Sequence, residues 1–407
     1  MTDMGKVWNN YGSTILLLGG VIIGGIAGAI AGPSASVVKP IGDIFLNLIF
    51  VLVVPLVFFS IAQSMCSLRK GHLIGKVLGT AFGVFVVMSL IAGTLTYLSL
   101  LLWNPFDGIE AAGGTAEVVG LASEGIGEAL VNTFTVSDFP MLLSKSNLLP
   151  LIVFAAILGL SVAALGEKAS MLSKFLEEGT ALIMKMMEMV MVLAPIGLGC
   201  YFADMIGNLG SSIVGSYMEV LALYLVISLF VYFVMHSLYV VVSGGSLKSY
   251  WKNILDPSLT AIATCSSAAC MPINISYAKK MGTDESIADS VIPLGINLHK
   301  DGSVIAEVLK IVFALVFYSQ FNPTLGSAVQ IVLMALLVSA VVGAVPIGGM
   351  TAEILICSIL GIDPSFAATL MVIGTIVDIP ATLVNSTANV VGAYAVSSLL
   401  GGKPENK

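Results

Sequence analysis

The sequence predicts an all-α polytopic membrane protein, and three observations carry that expectation. Its 407 residues are 57% hydrophobic and only 10% charged, with a mean hydropathy of +1.02, whereas a soluble domain carries roughly 25% charged residues. Apolar runs recur near the ~20 residues needed to cross hydrocarbon. When the runs are numbered in order, the short basic loops all fall on one side, as the positive-inside rule requires.

Eight full spans are expected. The first two are about Ser13–Ala31 and Val38–Ser64, separated by GPSASVVKP. Further spans follow the first run, so it reads as a helix rather than a cleaved signal peptide. The loop SLRKGHLIGK carries Arg69, Lys70 and Lys76 and is assigned to the cytoplasm. A third span, about Leu73–Trp103, leads to the polar stretch Asn104–Lys145, which holds one lysine and is placed outside.

The fourth span, Asn147–Leu165, returns inward to Lys168 and Lys174. The fifth runs about Gly179–Tyr201, with Lys185 and Glu188 spaced to pair on one helix face. The sixth, about Ser212–Val242, ends at Lys248 and Lys252; the seventh is about Ile287–Tyr318; the eighth, Phe366–Leu400, ends at Lys403 and Lys407. Both termini are expected in the cytoplasm.

Two segments do not fit a simple crossing. Pro257–Lys280, with SSAACMP at its middle, enters and leaves on the cytoplasmic side, and Ala328–Leu360, with GAVPIGGMT at its middle, does so from outside. Two re-entrant helical hairpins from opposite faces point to inverted repeats with a site at the midplane. Kinked ordinary helices are the alternative.

The composition also excludes some chemistry. Cys66, Cys200, Cys265, Cys270 and Cys357 are scattered through apolar sequence with no metal-ligand spacing, so buried free thiols are expected. The net charge of −7 says little about partners. Arg69 is the chain's one arginine, so a guanidinium fork for a second substrate carboxylate is missing from every span.

The polar groups within the spans are the candidate functional residues, because such groups are costly in hydrocarbon and usually face a cavity or a partner. The run NLHKDGS places His299, Lys300 and Asp301 side by side before Gly302, where a helix break is expected. Ser303, Glu307 and Lys310 then form one helical stripe. Glu307 is either a titrating carboxylate or a permanent partner of Lys310, and His299 either a proton carrier or a neutral hydrogen-bonded ring. In DIPATLVNSTANVVG, Asp378, Thr382, Asn385 and Asn389 share one face, and Pro380 should kink or loosen that helix. Interhelical glue is the alternative role for Thr382 and the asparagines. An intramembrane aspartyl protease built on Asp301 and Asp378 is disfavoured because HKDGS and IVDIP do not match the YD and GxGD pair such enzymes need. A passive channel is the remaining rival.

These residues resemble the dicarboxylate/amino acid:cation symporters, the family of glutamate, aspartate and neutral amino acid transporters. The resemblance runs from the first span to the last and is most specific in SSAACMP, IPLG…DGS, VPIGG and DxxxTxxNxxxN. It implies a homotrimer working as an elevator in the membrane lipid, with no cofactor and no nucleic-acid partner. The scaffold would be residues 1–70 and 147–210, and the transport domain residues 71–104 and 211–407, with 105–146 an extracellular loop.

The resemblance also assigns roles. Ser266, Ser267, Val345 and Gly349 would flank the substrate at the hairpin tips; Asp378 would bind its amino group and Asn385 its α-carboxylate; Ser303 and Thr382 would line the pocket. Asp301 would be a cation ligand. Where acidic amino acid carriers have an arginine, one turn after the aspartate, this chain has Ala381, which argues for a small neutral amino acid. The Asn-Met of the family's NMDGT motif is His299-Lys300 here, and Asn389 replaces an aspartate that closes a sodium site. Gly295, Asp301, Asn385 and Asn389 would thus be a degenerate sodium site. Lys300 is expected to act as a tethered cation on Asp301 or Asp378, weakening or removing sodium coupling, with a proton on Glu307 as the substitute.

Overall fold

The computed structural model describes residues 3–67, 75–106, 131, 135–144, 147–209, 212–319, 321–343 and 349–401. Among these residues every regular element is helical. Helix α1, Asp3–Ala31, stops at Gly32 and a short 3₁₀ turn carrying Pro33, and α2 resumes at Lys39–Ser67. Helix α3 is Gly75–Leu102. Helix α4, Leu148–Leu165, ends at Gly166, and α5 and α6 follow as Ser170–Met191 and Ala194–Leu209.

The expected single fifth span is therefore two helices. The chain breaks at Val192–Leu193, just before Pro195, which has no N–H to continue the α5 ladder. Lys185 and Glu188 pair at 2.8 Å on the exposed face of α5, as their spacing predicts.

Helix α7, Ser212–Phe230, passes through one π turn, Val231–Met235, into α8, His236–Val242. Helices α9, Leu247–Thr264, and α10, Met271–Lys280, form the first helical pair. The pair begins well before Pro257, which lies inside α9, so the expected start of this hairpin is corrected to Leu247. The Tyr277 hydroxyl donates to Asp256 across the pair. Helices α11, Glu285–Leu298, and α12, Asp301–Ser319, are interrupted at His299 and Lys300, where the break was expected.

Helices α13, Ala328–Gly343, and α14, Gly349–Leu360, pack together as a second pair with the expected bounds. Helix α15, Ala367–Leu399, runs through Pro380 without interruption, so the proline does not break it. Val345 and Arg69 lie outside the described residues.

Among the described residues six apolar segments are long enough to cross a membrane: 15–66, 76–102, 148–191, 215–242, 285–319 and 364–399. The first, third, fourth and fifth each contain two helices. Large apolar side chains point outward along them, among them Ile23, Ile30, Val51 and Met171. A bilayer solvates such a surface and water does not.

The helices pack in two groups. Helices α1, α2, α4, α5 and α6 contact mainly one another; α3 and α7–α15 gather around α12 and α15, and few contacts join the two sets. The closest packing in the first group is between α1 and α6. A Cβ at Gly24 would stand 2.0 Å from the Gly199 carbonyl oxygen, and one at Gly20 would stand 2.1 Å from that of Pro195. Small residues four apart let helix backbones touch where lipid offers no hydrophobic force for association.

Candidate functional site

The second group encloses a cavity of about 360 Å³ at the α11–α12 break. Its floor is the tip between α9 and α10. Helix α9 ends on Cys265, a left-handed residue (φ 48°) that turns the chain into Ser266 and Ser267. Asn274 fixes this tip to α15, its amide donating to the Ser386 carbonyl (3.1 Å) and hydroxyl (2.9 Å).

The far walls are α12 and α15. Gly302 lets them approach: a Cβ there would lie 2.6 Å from the Ala381 carbonyl oxygen. The Tyr224 hydroxyl donates to the Gly302 carbonyl at 2.9 Å and holds the first turn of α12 in place. Ser303 and Asn385 clasp across the gap, the Ser303 N–H donating to Asn385 Oδ1 (3.2 Å) and Asn385 Nδ2 to Ser303 Oγ (3.1 Å).

Of the residues predicted for substrate, Ser266, Ser267, Ser303, Asp378, Ala381, Thr382 and Asn385 all line this one cavity, joined by Lys300 and Glu307. They come from three stretches up to about 120 residues apart in sequence. Gly349 opens α14, next to the undescribed tip that holds Val345.

The triplet His299–Lys300–Asp301 divides. Lys300 faces the cavity, and no carboxylate lies within ion-pair distance of its ammonium among the described residues. Asp378, also on the cavity, makes no hydrogen bond or ion pair among them either. The expected pairing of Lys300 with Asp301 or Asp378 is therefore corrected: no direct ion pair forms with either, although Lys300 and Asp378 face the same cavity closely enough to attract each other.

Asp301 instead belongs to a sealed cluster. The Ser89 hydroxyl of α3 donates to its Oδ1 at 2.6 Å, and His299 Nε2 stands 3.0 Å from the same oxygen. His299 Nδ1 donates to Asn389 Oδ1 at 3.2 Å, and the ring stacks on Phe85 at 4.4 Å between centroids. His299, Asp301 and Asn389 are fully buried.

The imidazole therefore lies between two of the oxygens expected to hold a cation. Gly295 also adjoins this cluster, since a Cβ there would lie 2.2 Å from Asn389 Oδ1. Asn385 does not join it but turns to Ser303, so the four residues of the expected degenerate sodium site are split between two places. The reason is helical: Asn385 and Asn389 are one turn apart but engage α12 and His299 respectively.

Two functional residues escaped the sequence reading. Glu353 on α14 lines the cavity and is fully buried against Lys310, which also bonds Glu307 Oε1 at 3.1 Å. The signal was present: a lone carboxylate in TAEILICSIL meets the criterion that singled out Asp378. Ser89 carried no such signal, because hydroxyls are common in membrane helices. All five cysteines are free thiols; Cys66, Cys270 and Cys357 are buried, and Cys265 lies at the cavity rim.

A helical bundle with outward apolar faces and an internal cavity lined by charged side chains has the architecture of a membrane transport protein. Residues 14–399 match the Sodium:dicarboxylate symporter family, and the chain belongs to that family. It is 27% identical over 409 residues to the proton/sodium-glutamate symport protein of Geobacillus stearothermophilus, covering 95% of this chain and 94% of that one. It is 27% identical over 340 residues to the C4-dicarboxylate transport protein of Bacillus subtilis strain 168, covering 82% and 80%. The C4-dicarboxylate transport protein of Rhizobium meliloti strain 1021 is 28% identical over 353 residues, covering 80% and 78%. These relatives are transport proteins rather than enzymes.

Proposed function

We propose that this symporter-family protein imports a small amino acid with a neutral side chain, with sodium coupling weakened or lost. The observation that carries the reading is Asp378, a carboxylate on the wall of the cavity that makes no hydrogen bond or direct ion pair among the described residues. An ammonium is the group that such a carboxylate binds, and a substrate without an amino group would be repelled by it. The Asn385 amide and Ser303 hydroxyl lie on the same cavity to take the α-carboxylate. Thr382, Ala381, Ser266 and Ser267 complete the lining.

Weakened sodium coupling now rests on His299 rather than Lys300. Its ring occupies the space between Asp301 and Asn389, where a coupling cation would need those oxygens. The two packing groups support a scaffold carrying a mobile transport domain, the arrangement an elevator requires. Eight spans with two re-entrant pairs, a homotrimer in the inner membrane and cytoplasmic termini belong to the same proposal.

One observation favours a second reading, a sodium-coupled acidic amino acid or C4-dicarboxylate symporter. The free Lys300 ammonium could receive a second carboxylate in place of the missing arginine, and the named relatives carry such substrates. Uptake into proteoliposomes separates the two. Alanine, serine or threonine should outcompete aspartate and succinate, and accumulation should persist without a sodium gradient. Tighter binding of aspartate or succinate, or strict sodium dependence at fixed pH, would establish the second reading instead.

A further inference from the structure

The cavity has an electrical direction, and the register of α12 against α15 sets it. At one end Gly302 meets the Ala381 carbonyl, Ser303 bonds Asn385 and His299 bonds Asn389. At the other, Lys310 Nζ lies 3.4 Å from the place a Cβ on Gly374 would take. The two helices therefore run antiparallel. Asp378 is seven residues before Asn385, about 10 Å along the α15 axis, so it belongs to the end where α12 carries Glu307. Lys300, which immediately precedes α12, belongs to the opposite end, with the Asn385–Ser303 clasp.

The backbone of Lys300 is fixed at that end. Its carbonyl accepts from the Val304 N–H at 3.0 Å and from the Ser339 hydroxyl of α13 at 3.3 Å. Both bonds hold the main chain and leave the side chain to the cavity. Lys310, the other base on the cavity, is occupied by Glu307 and Glu353. The Lys300 ammonium has no such partner among the described residues. Lys300 and Asp378 thus leave two opposite charges that attract each other across the cavity without touching. A charge removed from water without a close partner is costly. One molecule that carries both countercharges relieves both ends at once.

Resting on the amino-acid reading above, we infer that Lys300 holds the α-carboxylate of the substrate, as the cationic half of a zwitterion site whose anionic half is Asp378. The substrate inserts between the two charges. Its ammonium binds Asp378, and its carboxylate takes a charge-assisted bond from Lys300 beside the Asn385 amide. One pair of separated charges is exchanged for two close ones, and the two anchors together carry no net charge. Because the Lys300 ammonium shares an end with the clasp, it serves the α-carboxylate and not a second carboxylate on the side chain. Lys300 therefore distinguishes an α-amino acid from an amine and does not read the side chain.

The test compares alanine with alaninamide, which keeps the ammonium and lacks the carboxylate. Binding is read as the ligand-induced rise in unfolding temperature in detergent, so a variant that no longer transports still reports. The wild type should bind alanine about 100-fold more tightly than alaninamide. Lys300→Met and Lys300→Gln should each lose about tenfold of that preference, and Lys300→Arg, which keeps the charge, should retain most of it. Monodispersity and a cooperative unfolding transition establish that each variant is folded, and Lys300→Gln carries the test if Lys300→Met does not fold. A structural lysine would weaken alanine and alaninamide in parallel. An unchanged preference in a folded variant therefore overturns the anchor and leaves the amino-acid reading standing. Loss of aspartate binding with the alanine preference intact also overturns it, by giving the ammonium to a side-chain carboxylate. A wild type that binds alanine no better than alaninamide overturns it as well. A wild type that binds no neutral amino acid overturns the functional reading itself, and this anchor with it.

Discussion

His299 and Asp301, which meet each other across the helix break, and Lys300 between them in sequence, which meets neither, make an instructive contrast. All three are polar and adjacent in sequence, with His299 and Asp301 fully buried and Lys300 partly so. Yet the first two close on each other, on Ser89 and on Asn389, while Lys300 faces the cavity opposite an unpaired Asp378. A buried polar group that has partners holds the fold together. One that lacks them, on a cavity wall, has been left for a ligand. The distinction separates structural polarity from functional polarity more sharply than residue type does.

The comparison breaks most visibly at Asp378. Asp378→Asn should lower uptake about 100-fold or more, the consequence of removing one member of a buried charge pair with the substrate. Its unfolding temperature in detergent should change little, because Asp378 makes no hydrogen bond or direct ion pair among the described residues. Uptake near the wild-type level would place the substrate elsewhere.

Ser89→Ala should do the opposite, lowering stability by about 1.5–3 kcal/mol, the range for a hydrogen bond to a charged group. Thermal unfolding in detergent measures it. A stability within error of the wild type would mean that the Ser89–Asp301 bond does not hold the sealed cluster together.

Exchanging the contrast itself is the third test. The double variant His299→Asn, Lys300→Met empties the space between Asp301 and Asn389 and removes the neighbouring ammonium. Sodium should then stimulate uptake by about tenfold, equivalent to about 1.4 kcal/mol of recovered binding. An unresponsive double variant would show that the imidazole is not what excludes the ion.

The smallest effect is expected far from the cavity, at Asp284, the N-cap of α11. Its Oδ1 accepts from the Ser286 N–H (2.9 Å), the Ile287 N–H (3.2 Å) and the Ser286 hydroxyl (2.6 Å). Asp284→Ala should cost about 0.5–1 kcal/mol at neutral pH, the lower part of the range for a lost cap. The bond from the Ser286 hydroxyl, followed by that from the Ile287 N–H, holds the carboxyl below its usual range. A depressed carboxylate stabilises the fold fully above its unfolded value of about 4 and ceases to do so as pH falls through the lower folded value. The gap between wild type and variant should therefore be flat from pH 5 to 8 and close in acid. A gap that widens in acid would contradict the cap.

Much of the architecture was readable before any coordinates. The bounds of α13–α14, the break at His299–Lys300 and the shared face of Asp378, Thr382 and Asn385 follow from hydropathy and helical period, which are local properties. The misplacements have local causes too. Val192–Leu193 is apolar enough to hide the break between α5 and α6, and Pro257 reads as a boundary although α9 carries it in its interior. The close seam of Gly20 and Gly24 on α6 was unreadable as a contact, because a glycine row does not name the helix it meets.

The sequence by itself determined that this chain is helical, that it belongs in a membrane, and which polar side chains are out of place there. Period and composition decide those matters, because each depends on neighbours within a few residues. Only the tertiary structure decided which of those side chains meet. It gave Asp301 to His299 and Ser89, left Lys300 and Asp378 unpaired, and brought Glu353 across to Lys310. Partners on different helices are set by packing and by the turn of the chain at a break, and neither is written in the spacing of residues along one helix.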